Sequence, residues 1–189
     1  MAKVSVYDNM RDEFTAGYLQ VYTGDGKGKT TAAIGLAVRA VGAGLNVFFA
    51  QFIKCGKYSE IEALEKMSGE GLGTLTCRQY GLGCFIMRAP TEEDKSAARN
   101  GLEDAASEMK SGRYRLVVLD EANVAVKLGL LDEGELLRFV EARPDDTELV
   151  ITGRGAPASL IERADLVTEM REIKHYYSGG VRARKGIES

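Results

Sequence analysis

The chain has no tryptophan, a single histidine, three cysteines and a formal charge of only −3 over 189 residues. Cys55, Cys77 and Cys84 are odd in number and lack paired C-x-x-C spacing, and His175 is distant from all three. A structural zinc site needs more ligands than that. The expectation is reduced thiols, buried or half-buried, in a reducing compartment. No apolar run approaches the roughly 20 residues that cross a bilayer. The opening MAKVSVYDNMRDEF lacks the apolar stretch of a signal peptide, so cytoplasmic residence is expected. So small a net charge argues against a general binder of nucleic acid or membrane surfaces. No internal repeat or low-complexity linker is visible, which predicts one domain over residues 1–189.

What is present is ordinary in bulk, with 44% hydrophobic and 28% charged residues. The informative stretch is 23–31, which reads TGDGKGKTT. It joins an apolar-alternating run to a helical pattern. Gly24, Gly26 and Gly28, with Asp25 and Lys27 between them, let the backbone adopt positive φ and turn N–H groups inward. The helix start adds unpaired donors and about half a positive charge. Lys29 can bridge phosphate oxygens, and the Thr30 hydroxyl, followed by Thr31, suits a magnesium ligand. Together these parts make a polyphosphate cradle. The usual P-loop spacing G-x-x-x-x-G-K-[ST] would put its first glycine at position 23, where this chain has Thr23. The loop predicts nucleoside triphosphate binding and leaves open what happens to the triphosphate.

Predicted strands are Tyr18–Thr23, Leu45–Ile53, Thr74–Tyr80, Arg115–Asp120, Glu148–Thr152 and Leu166–Met170. Helical patterns fall at 29–43, 58–69, 91–111, 132–142 and 157–163. Thr91 and Asp94, after Pro90, form a capping-box-like pair, and Pro157 suits a first helical turn. Runs such as LVVLD and LVIT are nearly all apolar, as strands covered on both faces should be. The alternation predicts an α/β fold with a mainly parallel central sheet flanked by helices.

Ligands of such sheets bind beyond the carboxyl ends of the strands. Asp120 and Glu121 end VVL there, where a carboxylate can hold magnesium directly or through water; spacing does not say which one touches the metal. An acidic helix N-terminus is the alternative reading of the pair, and the phosphate loop upstream favours the metal-holding one. Thr152-Gly153-Arg154-Gly155 ends another strand, either as a surface turn or as a turn that frees a guanidinium to reach an anion. From 171 to 186 there are five Lys or Arg against one acid, which reads as a solvated tail or as a flap over phosphates. The segment 81–87, GLGCFIM, is apolar enough for core or for the wall of a large flat ligand.

These segments resemble the corrinoid adenosyltransferases of the P-loop type, the cob(I)alamin adenosyltransferase family, from about Gly17 to Ile187. GDGKGKTTAAIGLAVRAVG, VVLDE, ITGRGAP, ADLVTEM and KHYYSGGVRARKGIE carry the likeness. The resemblance implies a RecA-like P-loop NTPase fold put to an unusual use of ATP. In this family Co(I) attacks the ribose C5′ carbon and displaces tripolyphosphate, giving adenosylcobalamin or an adenosylated precursor. The triphosphate lies in the loop in reversed polarity relative to ordinary NTPases. Carried over, Gly24 to Thr31 hold the triphosphate, with Lys29 and Thr30 central. Arg39, Arg154 and His175 match nucleotide-contacting positions, and Glu121, with Asp120 beside it, serves magnesium and nucleotide. Phe85 and Met87 match a Phe-x-Trp pair that packs on the corrin, with Met in place of the second aromatic. The N-terminal arm 1–16 matches nothing closely, and the basic segment 173–189 is expected near the active site. The implied partners are ATP with Mg2+, a corrinoid, an electron donor such as a reduced flavoprotein, and a second copy in a homodimer. Read without the resemblance, the residues also suit a conventional P-loop ATPase or phosphotransferase, or a regulator that binds ATP without turnover.

Overall fold

The computed structural model describes residues 14–54, 56, 59–66, 71–82 and 89–188. Its elements run β1 Leu19–Thr23, α1 Lys29–Gly42, β2 Val47–Gln51, α2 Ser59–Lys66, β3 Leu75–Gln79 and α3 Glu92–Lys110. The second half adds β4 Leu116–Asp120, α4 Ala122–Lys127, α5 Glu133–Glu141, β5 Glu148–Thr152, α6 Ala158–Arg163 and β6 Leu166–Glu169. The six strands form one sheet in the order β3-β2-β4-β5-β1-β6, and every pairing is parallel. All their carboxyl ends therefore share one rim.

Period-two alternation sorts the strand side chains between two layers. Val47, Phe49, Leu116, Val118 and Val150 pack with Ala33, Ala37, Ala40 and Val41 of α1 and Ile61 of α2. Phe48, Ala50, Val117, Leu119, Leu149 and Ile151 pack the other way, on Leu102 and Met109 of α3, Leu136 of α5 and Leu160 of α6. Both faces are covered, which is why LVVLD and LVIT need apolar residues at nearly every position. The same parity decides the site. Gln51, Asp120 and Thr152, the last residues of their strands, share the alternation of Phe49, Val118 and Val150 and so face α1.

α3 starts with the expected capping box: Thr91 Oγ1 accepts from the Asp94 N–H at 3.3 Å, and Asp94 Oδ2 accepts from the Thr91 N–H at 2.8 Å. α5 has a second box, from Asp132 and Glu135. Helix α4, ANVAVK, falls where no helix is predicted. Six residues are too few to display a 3.6 period, and V-A-V reads equally as a strand. No helix among the described residues is long and apolar enough to cross a membrane.

Candidate active site

The phosphate loop lies between β1 and α1 and is braced from the edge strand beside β1. The Met170 N–H, just past β6, donates to Thr23 O at 2.8 Å, and the Gly26 N–H donates to Met170 O at 2.7 Å. Gly24 and Gly28 have φ of 91° and 120°, as expected of glycines that turn a loop. Gly26 is not among the residues at positive φ; it is needed for space. A Cβ there would lie 2.8 Å from the Arg171 carbonyl carbon. Thr23, in the place of the missing glycine, accepts the Ala156 N–H on its hydroxyl at 3.2 Å. That bond ties the loop to the turn carrying Arg154.

Lys29 is 6% exposed, and its Nζ donates to Gly24 O at 2.7 Å and Gly26 O at 2.6 Å. Burial, and next the positive charge of Arg154, push its pKa below the usual lysine value. A desolvated cation beside a like charge, at a helix N-terminus, is a place where bound phosphate would relieve the cost. Asp25, Lys27 and Thr31 lie exposed around the loop.

Asp120 is fully buried and accepts four hydrogen bonds. Thr30 Oγ1 (2.8 Å) and Thr152 Oγ1 (2.7 Å) donate to Oδ1; Lys54 Nζ (2.8 Å) and Gln51 Nε2 (3.2 Å) donate to Oδ2. Gln51 is opposite Asp120 in the β2–β4 register and opposite Gln79 in the β2–β3 register. Its own Oε1 accepts from Gln79 Nε2 at 2.9 Å. A row of polar side chains therefore runs from β5 to β3 under the rim. Burial alone would lower the Lys54 pKa, but the Asp120 carboxylate outweighs it and holds it above the usual value. Glu121 is half-buried with φ 62°, and its N–H donates to Thr152 Oγ1 at 3.0 Å. Burial first, and then the adjacent Asp120, raise its pKa.

Arg154 is exposed between Gly153 (φ 130°) and Gly155 (φ 70°), close enough for its charge to bear on both Lys29 and Glu121. Beside it Asn123 Nδ2 donates to Gly153 O at 3.3 Å, while the buried Asn123 Oδ1 has no hydrogen-bond partner among the described residues. His175 precedes a 3₁₀ turn, Tyr176–Gly179, and its Nδ1 accepts the Tyr177 N–H at 3.0 Å. In the neutral ring this leaves the proton on Nε2, which is then a donor. The C-terminal segment meets the loop directly where Lys27 Nζ donates to Ile187 O at 3.0 Å. Arg39 is not brought to the loop. Ten residues of helix carry it about 15 Å along α1, into an apolar groove of about 450 Å³ that it lines with Tyr18, Leu45 and Glu148. Phe85, Met87, Cys55, Cys84 and residues 1–13 of the expected arm lie outside the described residues. Cys77 is half-buried against the α1-side core.

A profile described as "ATP:corrinoid adenosyltransferase BtuR/CobO/CobP" matches residues 15–189. The chain belongs to this family. Among its relatives, a corrinoid adenosyltransferase of Pseudomonas aeruginosa is 38% identical, over 94% of this chain and 85% of the relative. One from a Sinorhizobium species is also 38% identical, over 91% and 80%. Another, from Escherichia coli, is 36% identical over 91% and 85%.

Family membership gives the site's oxygen chemistry a meaning. Among the described residues no group of three or more His, Cys, Asp or Glu side chains could hold a metal by itself. Thr30, Asp120 and Glu121 instead offer a few hard oxygens, which fits an ion that arrives already bound to phosphates. Sequence reasoning missed Gln51, Lys54, Gln79 and Thr152 as a unit. Gln51, Gln79 and Thr152 are far apart along the chain and meet through parallel register, and Lys54 joins them from the turn after β2, so the one available signal was that each ends or follows a strand with a polar group.

Proposed function

We propose that the chain is an ATP:corrinoid adenosyltransferase. Co(I) of the corrinoid, the substrate nucleophile, attacks C5′ of ATP. The Co–C bond forms as the C5′–O bond breaks, and that electron pair leaves on tripolyphosphate. The observation that carries the reading is the braced phosphate loop in a chain of this family. Lys29, the loop N–H groups and the α1 N-terminus surround the leaving group, and their task is to stabilise charge that develops on it. Gly24 to Thr31 grip the triphosphate, while Arg154 supplies a further cation. His175 presents its Nε2–H to the nucleotide as a hydrogen-bond donor, since Co(I) brings no proton for a base to remove.

Thr30 and Glu121 face the magnesium carried by ATP, with Asp120 fixing the Thr30 hydroxyl. The ion adds positive charge to the leaving group. Phe85 and Met87 we assign to the corrin face. The reaction consumes Co(I), so a donor of the reduced-flavoprotein class must supply electrons, and we infer a homodimer as the working unit.

One observation favours a second reading. Glu121 directly follows the strand-end Asp120 and has a raised pKa, as suits a base that activates water in an ATPase. Anaerobic incubation with ATP, Mg2+ and cob(I)alamin separates the two. The transferase yields the photolabile Co–C absorbance. The ATPase yields steady orthophosphate whether or not the corrinoid is present.

A further inference from the structure

Among the described residues only two non-glycine positions have left-handed backbone, Ile53 and Glu121, each at φ 62°. They follow the ends of adjacent strands β2 and β4, whose last residues, Gln51 and Asp120, are in register. Left-handed geometry is unfavourable for a β-branched residue such as isoleucine. It persists where the surroundings dictate it, commonly at functional sites. Here they do: a Cβ on Gly81 would lie 2.7 Å from the Lys54 nitrogen, so the 53–54 turn is pressed between β3's exit and the rim. The turn delivers the next side chain inward. Lys54, 18% exposed, places Nζ on Oδ2 of the fully buried Asp120.

A carboxylate has about four lone-pair sites, and Asp120 uses four. Gln51 cannot turn its amide over without losing Gln79. With Gln51 and Lys54 both on Oδ2, Oδ1 is reserved for Thr152 and Thr30. The Thr30 hydroxyl has one proton; once it is given to Oδ1, its lone pairs must point elsewhere. We propose that Lys54 is a positioning residue of the nucleotide–metal site, locking Asp120 so that the Thr30 oxygen presents its lone pairs to the metal that arrives with ATP. This rests on the reading of a MgATP site given above.

The test is the affinity of the full-length protein for ATP with and without Mg2+, measured by calorimetry in the absence of corrinoid. The wild-type ratio of the two dissociation constants comes first; a ratio near one overturns the metal reading itself. Given a metal-dependent wild type, Lys54→Met is expected to cut the ratio about tenfold, toward the value of Thr30→Val. Lys54→Arg, which keeps a cation on Oδ2, restores it at least in part. A purely electrostatic lysine predicts the opposite sign, because an uncompensated Asp120 attracts the cation and raises the ratio. A purely structural lysine lowers the unfolding temperature and leaves the ratio alone. Either result overturns the proposal. If Lys54→Met does not fold, Lys54→Gln decides, since its amide ends one atom short of the lysine nitrogen and so loosens the hold on Oδ2 while removing the charge. A ratio lowered at least about threefold supports the positioning role, and one unchanged or raised overturns it.

Discussion

Position 23 shows how a single side chain can replace what a motif normally supplies. The loop turns at Gly24, one residue later than the usual spacing, and the Thr23 hydroxyl holds the Ala156 N–H. Three residues further on, Gly26 yields to the backbone of Arg171, so Gly26→Ala should distort the loop and lower ATP affinity with little change in overall fold, as titration and circular dichroism would show. Lys29→Ala removes a buried cation from the leaving-group side. A fall in turnover of about 10²–10³ is expected, as for loss of a preorganised charge-stabilising donor. Near-normal rates would contradict the assigned role. Glu121 gives a pH signature. Its folded pKa is raised, so the folded chain keeps this proton to higher pH than the unfolded chain does. The group therefore adds no penalty below about pH 4, the ordinary glutamate range, and turns against folding as pH rises through its folded value. Glu121→Gln should stabilise the protein at pH 8 and give no gain at pH 4, read from urea midpoints.

At the scale of elements, α1 and the central strands β2, β4 and β5 were legible because each carries a clean pattern: apolar at nearly every strand position where both faces are covered, and alanines at helical spacing where α1 meets the sheet. The α3 cap was legible because Thr91 and Asp94 are three residues apart. Thr91→Ala should cost about 1 kcal/mol, a fall of roughly 2–4 °C in melting temperature for a chain of this size, while leaving adenosyl transfer intact. Helix α4 was not legible; it exists because Ala122 and Ala125 are buried under β5 and its neighbours, a tertiary fact. The polar row Thr152–Asp120–Gln51–Gln79 was hidden for the same reason. Asp120 announced itself by ending an apolar run, but its partners in the row, Thr152 and Gln51, come from two other strand ends, and register is not written in spacing. The gap was sharpest for Lys54, since nothing in QFIK marks the left-handed turn that aims it.

For the whole molecule, parallel pairing matters most: it gathers the phosphate loop, the acidic pair and the Arg154 turn on one rim. The C-terminal segment joins them from outside. No described residue after 164 belongs to either core cluster or packs against one, yet Lys27 holds Ile187 and Gly26 holds Met170. Deleting residues 173–189 should therefore leave cooperative unfolding within a few degrees of wild type while abolishing transfer, checked by calorimetry beside the activity assay. Loss of folding would mean that the segment belongs to the structural core.

In the proposed reaction the phosphate loop stabilises a whole tripolyphosphate as leaving group and does not release a terminal phosphate. Quantifying both products in one anaerobic reaction with ATP, Mg2+ and cob(I)alamin tests it most directly. One tripolyphosphate for each Co–C bond formed, with no orthophosphate above background, is the expected result. Orthophosphate accumulating without a matching Co–C product would contradict it.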